Sequence, residues 1–216
     1  MGTYNAIVSF FQDGGIFMYP ILVIFALGLA IAIERYIYLT LAKTNNRRLW
    51  KQIIPMVKTG RFDQASAIIE KSKSAICKIL SYGMDRLKVA HRRDDLETAL
   101  EEGLMEVIPR LEKRTHYLAT LANIATLLGL LGTIMGLIAA FTAVSNADPA
   151  DKANLLSSSI SVAMNTTAFG LMSAIPLLLI YTVLQTKTTE VVDSLEMASV
   201  KFMNTVQEVK ARATKS

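Results

Sequence analysis

LATLANIATLLGLLGTIMGLIAAF, residues 118–141, decides the fold: 24 consecutive residues without a charge. At 1.5 Å per residue, a helix of that length crosses a hydrocarbon core of roughly 30 Å. At 100° per residue Ala125, Gly129, Gly132 and Gly136 fall on one narrow stripe, with Thr126 and Thr133 beside it. Small residues let helix backbones approach closely in lipid, where burial against lipid tails supplies no driving force. The stretch therefore predicts a spanning helix built to pack tightly against other helices, not a simple anchor.

Two further segments have the same character. Ile16 to Ile33 is apolar and continues through Glu34-Arg35 into Tyr36–Ala42, and Ile160 to Leu184 is uncharged with Gly170 and Pro176 inside it. The first has no basic residue before it, only Asp13, and is too long for a secretory signal. The expected organisation is an outside segment 1–15, a first span 16–42, a cytoplasmic helical region 43–117, a second span 118–144, an outside turn 145–157, a third span 158–184 and a cytoplasmic helix 185–216. The fold class is all-α membrane protein, with two of the three spanning helices extended into the helical cytoplasmic region.

Charge placement sets the orientation. Residues 43–117 hold 16 Lys and Arg against 10 Asp and Glu, and the tail from Gln185 holds 5 against 4. The flanks 1–15 and 145–157 together carry one Lys and three Asp. The positive-inside rule then places the N-terminus outside and the C-terminus in the cytoplasm. The same topology accounts for the net charge of +5. A nucleic-acid partner is not expected, since cations and carboxylates are interleaved along helices with no aromatic stacking platform.

The cytoplasmic region reads as helical throughout. Gly60 breaks the chain before an amphipathic run from Arg61 to Ser74. Asp94-Asp95 starts another, whose apolar positions Leu100, Leu104, Val107, Ile108, Leu111 and Leu118 recur at three or four residues. With Pro109 the only breaker, that run is expected to enter the second span as one long helix. Residues 187–213 repeat the pattern and are expected to prolong the third span. Long helices hanging from three spans cannot bury their apolar faces alone, which predicts a homo-oligomer.

Catalytic chemistry is scarce. His91 and His116 are the only histidines and sit in no metal-ligand spacing, Cys77 is alone, and no phosphate loop or nucleophile elbow occurs. No enzyme activity, cofactor or metal is expected. Glu34 and Arg35 lie at the inner edge of the first span, as a snorkelling anchor, a helix-end ion pair, or with Arg35 held by a partner. On the third span Ala163, Thr167, Gly170 and Ala174 share a face, with Ser159, Thr166 and Ser173 adjoining. The threonine hydroxyls back-bond to helix carbonyls and aid packing, or, repeated around a ring, line a polar passage for a cation.

Residues 122–141, ANIATLLGLLGTIMGLIAAF, and 160–176, ISVAMNTTAFGLMSAIP, resemble the second and third spans of the MotA/TolQ/ExbB proton-channel family. Ile33-Glu34-Arg35 and the 60–65 turn GRFDQA fit as well, and three spans point to the ExbB/TolQ branch. The resemblance implies a homopentamer in the inner membrane of a Gram-negative bacterium. It would surround a dimer of a single-span ExbD- or TolR-like protein and pass force to a TonB- or TolA-like protein. It also implies that Thr133 and Thr167 belong to the polar ring facing the partner's aspartate. Two positions depart from the family. Val162 stands where ExbB and TolQ commonly have glutamate, and Thr126 where proline is frequent. A pore with hydroxyls and no glutamate leaves sodium coupling open beside protons. A TolQ-like role in envelope maintenance and a non-conducting membrane scaffold are the alternatives.

Overall fold

The computed structural model describes residues 10–11, 14–87, 93–145 and 147–213, among which every element is helical. The helices are α1 (Met18–Lys58), α2 (Phe62–Lys71), α3 (Ala75–Leu87), α4 (Arg93–Glu112), α5 (Thr115–Ser145) and α6 (Lys152–Ala213). Three stretches within them are long and apolar enough to cross a membrane. The chain divides into two compact units.

The first unit comprises residues 1–34 and 114–183 and so holds all of α5, the start of α1 and the first half of α6. Its helices meet through small residues. Ala122, Ala125, Gly129 and Gly132 of α5 are buried, as are Ala163, Gly170 and Ala174 of α6. The outward faces are apolar, with Leu27, Leu127, Ile134, Phe141 and Leu179 exposed. That inversion of the soluble pattern, small residues inside and large apolar ones outside, is what lipid permits and water does not.

The second unit comprises residues 35–113 and 184–216. It has an ordinary hydrophobic core, built from Ile53 and Val57 of α1, Ile79 and Leu80 of α3, Leu100 of α4 and Phe202 of α6. Cys77 lies buried in it. Gly60 sits at φ 75°, a left-handed conformation that costs glycine little and lets the chain reverse after α1. Gly103 lets α4 approach the backbone of α3, since a Cβ there would stand 2.9 Å from Ile79 Cα. Across the same pair Glu106 accepts from Lys78 and, at 2.9 Å, from the Tyr82 hydroxyl. The Lys78 hydrogen bond, followed by that of Tyr82, holds the Glu106 carboxyl below its ordinary value. The same Glu106 bond raises the Tyr82 phenol.

One expectation is corrected. The run from Asp94 does not enter the second span as a single helix, because α4 ends at Glu112 and α5 begins at Thr115. Pro109 lies inside α4 and is not the breaker. The interruption falls at Arg114, whose φ of 70° is the left-handed conformation that terminates helices. The two helices that extend far beyond an apolar span are instead α1, of 41 residues, and α6, of 62.

Candidate functional site

The polar groups of the apolar helices are almost all hydroxyls, and the first unit disposes them in two ways. Thr166 is buried, and its one hydroxyl proton lies between two acceptors, Gly14 O (2.6 Å) and Val162 O in its own helix (3.0 Å). Its methyl fills the space over Gly132. Thr167 is half-buried and donates across the helix pair to Gly129 O at 2.7 Å. Its Cα lies 3.2 Å from where a Gly129 Cβ would stand. Thr166 and Thr167 therefore belong to the helix-packing face together with Gly129, Gly132, Ala163 and Gly170. Gly136 completes the row, since a Cβ on it would lie 2.7 Å from that of Ala163.

Thr126 and Thr133 are disposed differently. Thr126 is exposed and returns its proton to Ala122 O (3.1 Å), and Thr133 to Leu130 O (2.6 Å). Both hydroxyls satisfy their donor within α5 and leave oxygen lone pairs for something beside the helix. Val162 is half-buried, with Cγ1 against the backbone at Gly15. The structure thus brings Thr166, Thr167 and the small residues of α5 and α6 together, and leaves Thr126 and Thr133 towards the surface of the unit.

Glu34 and Arg35 each meet a residue distant in sequence. Within the first unit the exposed Glu34 carboxylate meets Arg114 at 3.3 Å. Within the second, Arg35 is buried, donates to the carbonyl of Leu111 and stacks its guanidinium 4.8 Å from the centre of the Tyr38 ring. Leu111 is in the last turn of α4, so a cation is placed on a carbonyl that the helix itself leaves unsatisfied. Sequence reasoning missed this because the two ends of the bond are 76 residues apart. It also missed Asn46, whose Oδ1 accepts from Ile76 N–H at 3.3 Å, tying α1 to the start of α3.

Among the described residues no cluster of His, Cys, Asp or Glu could hold a metal ion. What the first unit presents is a set of close-packed apolar helices whose polar groups are mainly hydroxyls. That defines a polytopic α-helical membrane protein. The chain belongs to the MotA/TolQ/ExbB proton channel family, to which residues 71–197 match. It is 27% identical over 197 residues to a biopolymer transport protein ExbB homolog of Methanothermobacter thermautotrophicus, covering 90% of this chain and 68% of that protein. The chain is accordingly an ExbB-type member of a channel family and not of an enzyme family.

Proposed function

We propose that this chain is the ring subunit of an ion-driven motor in the inner membrane of a Gram-negative bacterium. Five copies would surround a dimer of an ExbD-like single-span protein, conduct a cation with it, and energise outer-membrane transport through a TonB-like protein. The N-terminus lies outside and the C-terminus in the cytoplasm. The observation that carries the reading is the pairing of hydroxyls with an absence of charged side chains: residues 118–141 and 160–184 contain no Asp, Glu, Lys, Arg or His. A cation crossing such a ring needs a carboxylate from elsewhere. The cost of charging one in lipid makes neighbouring hydroxyl oxygens, those of Thr126 and Thr133, its natural support. The driving energy is about 2.3 kcal/mol per charge per 100 mV.

The test combines two measurements. Native mass of the complex, gently extracted with its partners, should give a ring of this chain carrying a small single-span protein with a membrane aspartate. Ion flux through that complex should fall by an order of magnitude or more in Thr126→Ala/Thr133→Ala while the ring still assembles. A ring with no such partner, or flux indifferent to both threonines, would favour the scaffold. Flux that persists after sodium is removed assigns the ion as a proton.

A further inference from the structure

The second unit carries two charged faces of opposite sign. On α4 the exposed residues Asp94, Glu97, Glu101 and Met105 fall within about 80° of the helix circumference. Met105, at 73% exposure, is an apolar side chain at the end of this acidic row. On α1 the exposed Arg48, Lys51 and Lys58 fall within a similar arc, and residues 43–58 contain no carboxylate. Among the described residues none of these six charged side chains has an ion-pair partner in its own chain.

The two faces also stand at the same level. A Cβ on Gly103 would meet Ile79 and one on Gly83 would meet Leu100, so α3 and α4 run antiparallel with Ile76 level with Glu106. The Asn46–Ile76 hydrogen bond brings Asn46 of α1 to that level, and the Arg35–Leu111 bond fixes which way α1 leads from it. Counting on from Asn46, Lys51 is five residues along α1 and Lys58 twelve; counting back from Glu106, Glu101 is five along α4 and Asp94 twelve. A cyclic ring turns each copy about the membrane normal, so every residue keeps its depth from copy to copy. Opposite faces at equal depth are what a head-to-tail interface between identical subunits requires.

We propose that the Asp94/Glu97/Glu101 face of α4 docks on the Arg48/Lys51/Lys58 face of α1 in a second copy of this chain, closing the ring outside the apolar spans. This rests on the ring reading above and adds the surface that sets its register. The long cationic stems can cover Met105 while their heads meet the carboxylates.

The test uses the full chain in mild detergent, with native mass as readout. Glu97→Lys/Glu101→Lys and Arg48→Glu/Lys51→Glu each reverse one face within a helix interior, away from the caps. Each should lower the ring fraction at least about tenfold, and the four substitutions combined should restore it. Unchanged rings in either double variant, or no recovery in the combination, would overturn the interface while leaving the ring itself standing. Loss in Arg48→Glu/Lys51→Glu alone would assign that face to anionic lipid headgroups instead. A wild-type chain that runs as a monomer would sink the ring reading and this inference together. Should a reversed face impair folding, Lys51→Cys/Glu101→Cys treated with a short bis-maleimide gives an independent readout. A ladder of cross-linked copies is expected, and monomer alone would overturn the interface.

Discussion

At the scale of single residues, Arg35 shows how a charge at the edge of a membrane span is turned to structural use. Read along the sequence it is half of a Glu-Arg pair, but each of the two has a partner far along the chain. Arg35 is buried on a carbonyl at the end of α4, and Glu34 goes to Arg114. Arg35→Met keeps the bulk and apolar contacts but leaves that carbonyl without its cationic donor, so it should cost about 1 to 3 kcal/mol. Unfolding midpoints in detergent check this, and a variant as stable as the wild type would remove the cap from the account. Glu106 supports a pH prediction. Its carboxyl is held below the usual 4.5 by Lys78 and Tyr82, so its stabilisation is fully present above that value and lost as pH falls through the lowered one. Glu106→Gln should therefore be less stable at neutral pH and show a flatter stability profile below about pH 4.5. Parallel profiles for the two proteins would contradict it. Glu190, lowered in the same sense by Lys43, supplies part of the slope that remains.

Elements differ in how much of them the sequence discloses. The close packing of α5 on α6 is legible because 3.6-residue periodicity places Ala125, Gly129, Gly132 and Gly136 on one stripe before any partner is known. Residues 187–213 prolong the third span as their apolar period predicts, whereas α6 begins at Lys152, inside the 145–157 stretch expected to be a turn. The break between α4 and α5 is not legible. Lys113 and Arg114 are ordinary helix formers, and the left-handed Arg114 reflects tertiary context, not propensity. Nor does a wheel tell Thr166 from Thr167, since neighbouring hydroxyls differ only in which backbone lies opposite. Close approach makes a firm prediction at Gly170, where a Cβ would stand 2.8 Å from Ala125 O and 3.0 Å from Gly129 Cα. Backbone cannot step aside as a side chain can, so Gly170→Ala should destabilise by about 1 to 3 kcal/mol. Gly28→Ala meets only the end of the Leu177 side chain, at 2.7 Å, and should cost less. Equal losses at the two sites, measured by thermal unfolding in detergent, would mean that α5 and α6 repack freely.

For the molecule as a whole, the class of fold follows from three uncharged stretches, whereas the sidedness rests on charge alone and is open to direct test. In the proposed function the excess of Lys and Arg in residues 43–117 puts that region and the tail in the cytoplasm, because moving many cations across a membrane held negative inside is costly. Cys77 is the only thiol of the chain and is buried in the core of the second unit, so the native protein should be nearly silent to a membrane-impermeant maleimide. New cysteines at exposed positions then report without removing it. Ala150→Cys, in the 145–157 turn, should label in intact spheroplasts, and Lys201→Cys, on α6, only after the membrane is broken. The reverse pattern would invert the topology. It would put the charged faces of α1 and α4 outside the cell, and with them the ring contacts assigned to the cytoplasm. Labelling of both in intact cells would mean that residues 158–184 do not span the bilayer. In that case Thr133 would lose the neighbouring helix that a hydroxyl-lined passage requires.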